Sequence, residues 1–368
     1  MISAEVKKIL KIKEPFIDEY NLTSLITFSC IIEKFIDIFK PDNVTEIGCE
    51  RGITTNYLSK LGIKKSYDLF CVDPGLENNN KFANKSNYKE TSYEFLKRKK
   101  QCNFIIIDGD HNYETVLMEL QMFHKNRDKS KGFFILMHDV CWPWGRRDLY
   151  YDLSNVKNAK KNITNASIVL EHENFEKAGF DSGRTYSMAK EYGGPENGVL
   201  TALEDFKKET PEIDFFIIPS CYGVACVWLK DSTTENQKKE IIKIKDSIDF
   251  LSTTLSKIEI NRLRLYQGLN EHKVDLNRLE TDLNKLSAER QELFDTAESR
   301  LKDLNKLSAE RQELFDTAES RLKDLNTLAA ERQELLEKLN YLENIPIIKL
   351  SKIRISQKFQ DLKSKFFK

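Results

Sequence analysis

A tandem repeat in the C-terminal third of the chain constrains its fold more than any other feature. Residues 283–303 read LNKLSAERQELFDTAESRLKD, residues 304–324 repeat those 21 letters, and residues 325–344 carry a diverged third copy. Because 21 residues make three heptads, a copy can be gained or lost without shifting the phase of an apolar seam. Each copy adds about 32 Å if it is helical. The repeat therefore predicts a long helix whose length changes in fixed steps.

The sequence around the repeat contains almost no helix breakers. Residues 232–342 hold one glycine, Gly268, and no proline. Apolar residues form a heptad, with a positions at Ile241, Ile248, Leu255, Leu269, Leu276, Leu283 and Leu304 and d positions at Ile244, Leu251, Ile258, Leu265, Leu279, Leu286, Leu293 and Leu307. An apolar repeat of 3.5 residues sustained over 237–344 predicts a left-handed coiled coil, about 150 Å long if unbroken. Packing of this helix on its own globular domain is the alternative.

The residues at the a and d positions, which form the seam between helices, bear on the number of helices in the coiled coil. The strict register puts four arginines at a or d positions, namely Arg290, Arg300, Arg311 and Arg321. A local shift through Phe294, Ala297 and Leu301 buries fewer arginines and broadens the apolar stripe. A broad stripe favours three or more strands, so we predict a homo-oligomer, with a trimer favoured.

The last 24 residues, 345–368, form a basic segment with an apolar component. They carry seven Lys or Arg against one acid, Asp361, a local charge of +6. Such a segment is typical of a surface-lying anchor on anionic lipid, and a helical end-cap or a disordered basic tail are the alternatives. The bases alternate with aliphatic residues, and over the whole chain 58 Lys+Arg balance 58 Asp+Glu. Nucleic acid is therefore not expected as a partner.

Residues 1–230 alternate strand-like and helix-like segments. Apolar runs at 43–48, 68–73, 103–108 and 132–137 are separated by helical stretches, which predicts a doubly wound α/β sheet. Two later runs, at 214–219 and 223–229, are separated by only three residues, so they must pair antiparallel as a hairpin. Residues 140–212 read as an insertion that covers a site.

Polar residues follow the strands at their carboxyl ends, where open α/β sheets bind ligands. The loop after the first strand contains Glu46, Gly48 and Gly52, and Asp73 follows the second strand. Glycines let backbone approach a ligand closely, and a carboxylate such as Asp73 can accept both hydroxyls of a ribose. The pattern is E-x-G-x-x-x-G rather than the G-x-G-x-x-G of dinucleotide sites.

A second group of polar residues follows the next two buried strands. Asp108, Asp110 and His111 come after one strand, and His138 and Asp139 come after the other. Carboxylates and imidazoles at this spacing suit a divalent cation, with Mg²⁺ favoured, which lowers the pKa of a bound hydroxyl. A neighbouring His or Asp can serve as general base. The alternative is that Asp110 caps the following helix and His111 lies on the surface.

These residues resemble the cofactor site of class I S-adenosylmethionine (SAM)-dependent methyltransferases. Glu46, Gly48 and Gly52 match the first motif of that family, Asp73 matches its ribose-binding acid, and Ser92 falls at the position that touches adenine. The resemblance covers about residues 40–230. It implies a seven-stranded sheet with a terminal antiparallel hairpin, and it adds Asp108 to the cofactor-binding residues.

The string FIIIDGDHNYETV is similar to metal-dependent sugar O-methyltransferases. That resemblance implies Asp108 and Asp139 as metal ligands. His138 stands where related enzymes have an acid, so it either ligates through nitrogen or acts as the base. Asp110 and His111 are the other candidates for the catalytic base.

The string CWPWGRRDLYY also resembles this type of enzyme. Aromatic rings stack on sugars and Arg binds phosphate bidentately. We therefore predict acceptor contacts from Trp142, Arg146, Arg147 and Tyr150. A structural loop with an Arg147–Asp148 pair is the alternative.

The combination of these parts resembles bacterial chain-terminating methyltransferases of O-antigen synthesis. The resemblance implies methylation at the non-reducing end of a lipid-linked glycan, with the coiled coil setting chain length. The implied partners are that glycan, a second and third copy, the inner membrane surface and a glycosyltransferase. A methyltransferase for a soluble sugar-containing metabolite and a non-catalytic coiled-coil scaffold are the alternatives.

The expected location is cytoplasmic and peripheral on the inner membrane. The chain has no apolar run of about 18 residues and no signal-peptide core at its start. Its seven cysteines form no CxxC pair, which is typical of reduced thiols. The predicted organisation is thus a domain at 1–230, a coiled coil at 237–344 and a basic tail at 345–368.

Overall fold

The computed structural model describes residues 25–50, 52–76, 84–98, 100–153, 156, 162–165, 167–170, 175–176, 186–335 and 347–366. The chain divides into two compact units, Met1–Leu279 and Glu280–Lys368. The start of the chain, for which we expected no signal peptide, lies outside the described residues.

The elements follow the alternation expected from the sequence. The helices are α1 (Ser29–Phe39), α2 (Ile53–Lys65), α3 (Ser92–Lys97), α4 (Tyr113–Asn126), α5 (Val199–Glu209), α6 (Glu235–Leu335) and α7 (Ile347–Phe366), with 3₁₀ turns at Leu25–Phe28 and Lys230–Ser232. The strands are β1 (Asn43–Ile47), β2 (Asp68–Val72), β3 (Lys85–Tyr88), β4 (Phe104–Ile107), β5 (Phe134–His138), β6 (Leu149–Tyr150), β7 (Ile163–Thr164), β8 (Ser167–Ile168), β9 (Phe175–Glu176), β10 (Ser187–Ala189), β11 (Ile213–Ile218) and β12 (Val224–Leu229).

Seven of these strands form one mixed sheet in the order β11-β12-β5-β4-β1-β2-β3. Strands β1 to β5 pair in parallel, whereas β12 pairs antiparallel with both β5 and β11. The chain runs outward from β1 to β3 and then returns to β4 on the other side of β1. This reversal opens a crevice at the carboxyl ends of β1 and β4, which is where sheets of this kind bind ligands.

Two layers of apolar side chains bury the sheet from both faces. On one face, Ile105 and Ile135 pack with Val116 and Phe123 of α4. On the other face, the ring of Phe134 stacks on Phe35 of α1 with centroids 4.3 Å apart. Successive residues of a strand point to opposite faces, so strands covered on both sides are apolar throughout. All of β4 and β5 is accordingly buried.

The first part of α6 belongs to this core. Ile241 and Leu263 are buried in it, and Ile244, Ile248 and Leu255 are packed against it. Of these residues, the heptad places Ile241, Ile244, Ile248 and Leu255 on a seam between chains. Over residues 241–263 the alternative, packing on the chain's own domain, is what the structure has, because this stripe covers the sheet.

The described part of the predicted insertion at 140–212 contains small sheets and helix α5. Strands β6, β10 and β7 form one antiparallel sheet, and β8 pairs with β9. A β-bridge from His111 to Leu149 ties this region to the loop after β4. Much of 154–185 lies outside the described residues.

The second unit contains the rest of α6 and helix α7. Its described apolar side chains are largely exposed within a single chain, including Leu283, Leu286, Leu293, Leu304, Leu307 and Leu314. Among the described residues, no helix is both long and apolar enough to span a membrane.

Candidate functional site

The site is built where β4 and β5 end side by side. Asp108 follows β4, and His138 and Asp139 close β5. His138 Nδ1 lies 2.9 Å from Asp108 Oδ1 and 3.2 Å from Asp139 Oδ2. Asp139 has a φ of 60°, a left-handed conformation that aspartate tolerates better than most residues. The parallel register of the two strands thus brings three predicted site residues into contact.

His111 joins this group from the loop before α4. Its Nε2 lies 2.8 Å from Asp139 Oδ2 and 3.9 Å from Asp108 Oδ1. The shorter contact lacks hydrogen-bond geometry, so this buried nitrogen has no hydrogen-bond partner among the described residues. The alternative of a surface histidine is therefore excluded. The exposed ring of Tyr151 stands over His111, with centroids 5.6 Å apart.

Electrostatics in the group favour charged carboxylates. Burial alone lowers the pKa of His111, but the charges of Asp139 and Asp108 outweigh burial and raise it to about 10. The same balance holds the pKa of His138 well above its usual value. Burial acts to raise the pKa of Asp139, yet the charges of His138 and His111 bring it well below its ordinary range. The carboxylates of Asp108 and Asp139 thus favour positively charged groups beside them, either protonated histidines or a cation.

A divalent cation fits this arrangement. One ligand atom from each of Asp108, His111 and Asp139 lies within 4.8 Å of the others. His111 Nε2 has no hydrogen bond among the described residues, and once it loses its proton it is the buried polar atom that such an ion would satisfy. The predicted ligand set had His138 in place of His111. His138 remains beside both carboxylates, but its other nitrogen is bound elsewhere.

That other nitrogen defines the chemistry of His138. Nε2 lies 2.8 Å from the carbonyl oxygen of Cys221. A carbonyl can only accept, so Nε2 must carry a proton and donate it. In its neutral form, His138 therefore presents the Nδ1 lone pair towards Asp108 and Asp139.

Asp110 lies apart from the group that joins Asp108, His111 and Asp139. Its carboxylate accepts the Thr115 hydroxyl at 3.0 Å and the His111 N–H at 3.1 Å. Burial raises the pKa of Asp110. The cap of α4 is instead Asn112, whose side chain accepts from Thr115 N at 2.9 Å, so the alternative that Asp110 caps this helix is corrected. These hydrogen bonds make Asp110 a support of the loop, and its role as the base stays a prediction.

The glycine loop lies next to this group. Gly48 has a φ of 83°, and a Cβ there would meet the Asp108 carbonyl oxygen at 2.1 Å. Gly52, with a φ of 72°, begins α2 and has open space above it. Asp73 Oδ2 accepts from the N–H groups of Cys49 and Glu50 at 2.8 and 3.1 Å. The end of β2 thereby holds the loop in place.

Glu46 and Ser92, two further predicted cofactor residues, differ in how far they are exposed to a ligand. Glu46 is 1% exposed, and burial raises its pKa to about 8. It lies beneath the loop, so it supports the loop and is not exposed to a ligand. Ser92 is half-buried at the first turn of α3, which Thr91 caps by accepting from Glu94 N at 3.3 Å.

Two of the four predicted acceptor contacts need correction. Arg147 and Tyr150 are buried at 3% and 1% exposure. Arg147 donates to the carbonyls of Ala189 and Lys190, and the Tyr150 hydroxyl donates to Asp148 at 2.8 Å. Both side chains hold the insertion together, so neither can reach an acceptor in this structure.

Arg146 forms an ion pair but keeps 33% of its side chain exposed, so its contact with an acceptor stays a prediction. It binds Glu204 of α5 through two hydrogen bonds of 2.6 and 2.7 Å. Trp142 is half-buried, and contact with an acceptor stays a prediction for that ring.

Sequence reasoning missed two features of the site. Tyr151, adjacent to the predicted Tyr150, is the tyrosine of the pair that faces the site. Two adjacent tyrosines in an extended segment point to opposite sides, so the sequence already indicated that only one of them could face the site. The contact of His138 with the Cys221 carbonyl could not be predicted from the sequence, because every residue type has a backbone carbonyl.

Comparisons with known proteins add little to this geometry. No protein-family model matches the chain, and no curated protein matches it. An O-methyltransferase from Bacillus cereus in complex with SAH aligns at 12% identity and a TM-score of 0.33, covering 61% of this chain and 88% of that one. An SAH-bound Podospora anserina methyltransferase aligns at 15% identity and a TM-score of 0.36, covering 62% and 87%. Likeness at this level does not carry an activity to this chain, so its function rests on its own residues.

Proposed function

We propose that this chain is a SAM-dependent O-methyltransferase assisted by a divalent cation, with Mg²⁺ favoured. The observation that carries the proposal is the buried group of Asp108, His111 and Asp139 beside the glycine loop. Carboxylates and an imidazole with an unpartnered nitrogen suit a cation, and the crevice between β1 and β4 suits a nucleoside.

The cofactor half of the site uses the loop between β1 and α2. When bound, SAM supplies an electrophilic methyl group. Gly52 leaves room over the start of α2, and Asp73 offers carboxylate lone pairs for ribose hydroxyls. Gly48 lets the loop lie against the backbone of Asp108. This contact sets the spacing between cofactor and cation sites.

The reacting half uses the residues at the ends of β4 and β5. Asp108, His111 and Asp139 would hold the cation, which lowers the pKa of a bound hydroxyl. Neutral His138 donates its Nε2 proton to the Cys221 carbonyl, so Nδ1 is the atom that takes up a proton. Burial lowers the pKa of His138, but the charges of Asp139 and Asp108 outweigh burial and raise it. A cation held by these carboxylates would offset the effect of their charges, so we assign the base to His138. Asp110 orders the loop through Thr115.

We propose a sugar hydroxyl at the non-reducing end of a lipid-linked polysaccharide as the acceptor. The exposed ring of Tyr151 and the half-buried Trp142 offer surfaces on which a sugar can stack. The tandem repeat supports a role in setting polymer length, because its copies change helix length in fixed steps. Exposed leucines on the repeats support a homo-oligomer, with a trimer favoured.

Helix α7 supports an interaction with anionic lipid. Ile355, Phe359 and Leu362 are exposed and share one helical face, with basic residues around them. Such a helix binds the surface of a membrane through apolar burial and charge. Three weak tails on one oligomer would act together.

Calorimetry with SAM and methyl transfer to lipid-linked glycan test the enzyme. Asp139→Asn should reduce Mn²⁺ affinity by at least about 10-fold and remove Mg²⁺-dependent methyl transfer, while SAM still binds. Asp303→Asn, an exposed change in the repeat, is the matched control. A folded chain that does not bind SAM would leave only a scaffold role.

A further inference from the structure

The hairpin turn that contacts His138 adopts an unusual conformation for its sequence. Cys221 and Tyr222 have φ values of 48° and 65°, and Gly223 N donates to Ser220 O at 2.9 Å. Two successive positive φ values with this hydrogen bond define a type I′ turn. Such turns favour Asn-Gly, and residues with bulky side chains cost about 1 kcal/mol or more each there. This turn needs support from outside the hairpin.

Cys141 N donates to Tyr222 O at 2.7 Å, and further support comes from Glu259 on α6. Its two carboxylate oxygens accept the N–H groups of Cys221 and Tyr222, each at 2.8 Å. Arg262 donates to the same two oxygens at 2.7 and 2.6 Å, and its guanidinium lies 4.5 Å from the centre of the Tyr222 ring. Glu259 is only 6% exposed. One carboxylate thus holds both strained residues of the turn.

The turn in turn fixes His138. The Cys221 carbonyl and the Tyr222 N–H belong to the same peptide unit. Glu259 binds the N–H of this unit, and its carbonyl accepts from His138 Nε2 at 2.8 Å. Rotation of this peptide would remove that acceptor. The ring of His138 would then lose the bond that directs Nδ1 towards Asp108 and Asp139.

We infer that Glu259 is a positioning residue for the candidate active site, acting through the Cys221–Tyr222 turn on His138. Helix α6 therefore contributes to the chemistry as well as to the core. The expected effect on cation binding rests on the proposed function, whereas the effect on His138 does not. His138 contacts both proposed carboxylate ligands, Asp108 and Asp139, and loss of such a partner of metal-ligating residues typically changes metal affinity 10- to 100-fold.

The test compares Glu259→Gln with wild type in the full-length chain. An amide accepts through one oxygen only, so one N–H of the turn loses its partner. Mn²⁺ titration followed by electron paramagnetic resonance should give a dissociation constant 10- to 100-fold weaker. Glu280→Gln, on an exposed part of the same helix, should match wild type. An unchanged Mn²⁺ affinity in folded Glu259→Gln would overturn the inference.

A second measurement does not depend on the cation. In chain labelled with ¹⁵N-histidine, the His138 signal is the one that disappears in His138→Gln. Exchange of its Nε2 proton with water should be slow in wild type and at least about 10-fold faster in Glu259→Gln. Equal exchange rates would refute the positioning role even if wild type binds no Mn²⁺. That failure to bind would instead count against the proposed metal site.

If Glu259→Gln does not fold, Arg262→Lys serves as the milder variant. Lysine keeps the charge beside Glu259 but gives up the paired hydrogen bonds to both oxygens. We expect faster His138 exchange and an intermediate loss of Mn²⁺ affinity. Wild-type values for both quantities in a folded Arg262→Lys protein would contradict the inference.

Discussion

At the scale of single residues, several acids in this chain lie where water does not reach them. Asp139 is kept ionised by two imidazoles, whereas Glu119 of α4 is 1% exposed and forms no ion pair with an imidazole among the described residues. Burial raises the pKa of Glu119 to about 8, partly offset by a hydrogen bond from Ser92. A buried carboxyl group is thus charged or neutral according to its surroundings.

Glu119 should therefore make the stability of the protein depend on pH. Below about pH 4.5 the carboxyl is protonated in both folded and unfolded chains, so it has no effect. Between that pH and about 8 only the unfolded chain ionises, so stability falls as pH rises. Glu119→Gln should remove this loss and stabilise the protein at pH 8 by at most about 4 kcal/mol.

Urea unfolding at pH 5 and pH 8 measures the effect. The advantage of Glu119→Gln over wild type should grow between the two pH values. For Glu94→Gln, on the exposed side of α3, the difference from wild type in the free energy of unfolding should be the same at both pH values. A constant difference for Glu119→Gln would show that the folded protein ionises this carboxyl freely.

At the scale of elements, the contact between the glycine loop and the end of β4 decides the geometry of the site. Gly48 combines a positive φ with a space that a methyl group cannot enter, whereas Gly52 has the positive φ alone. The two glycines of one motif are therefore required for different reasons. One is needed for close approach of two backbones, and the other for backbone conformation only.

Substitution by alanine separates the two reasons. Gly52→Ala should cost only the left-handed conformation, about 1 kcal/mol. Gly48→Ala should cost at least about 3 kcal/mol, because the loop must also move off Asp108. Denaturant unfolding measures both, and SAM calorimetry should show the greater loss for Gly48→Ala. Equal costs would mean that the loop yields easily.

The elements also show what the sequence can and cannot predict. Strands β4 and β5 were predictable, since continuous apolar runs are typical of strands covered on both faces. That Asp108 and Asp139 lie at one edge of the sheet was predictable because the carboxyl ends of parallel strands meet there, whereas their role in a site stays a prediction. The roles of Arg147 and Glu259 were not predictable, because they depend on contacts with residues about 40 positions away. The heptad also did not show that the first part of α6 packs on its own domain, because the same apolar spacing occurs in helices that cover a core and in coiled coils.

At the scale of the whole molecule, the repeat makes the proposed length-setting role testable. Deletion of residues 304–324 removes three heptads and about 32 Å of helix. We expect a shorter polymer distribution, measured by gel electrophoresis of the lipid-linked glycan. Methyl transfer and the oligomeric state, measured by sedimentation equilibrium, should be unchanged.

A control deletion separates length from phase. Removal of 19 residues, 304–322, shortens the helix by nearly as much but breaks the heptad. That protein should lose its oligomeric state. An unchanged polymer distribution after the in-phase deletion would refute the length-setting role, and an unchanged oligomer after the other deletion would refute the seam.

The side-chain contacts within the repeats bear on how such a chain can evolve. Gln291 binds Asp295 and Thr296 binds the carbonyl of Glu292, and both contacts recur 21 residues later with Gln312 and Thr317. Every one of these contacts closes inside its own copy. A duplication of the coding segment by recombination would thus bring its own stabilising contacts and leave its neighbours undisturbed. Variants of different length could then arise in a population by single genetic events, without compensating mutations elsewhere.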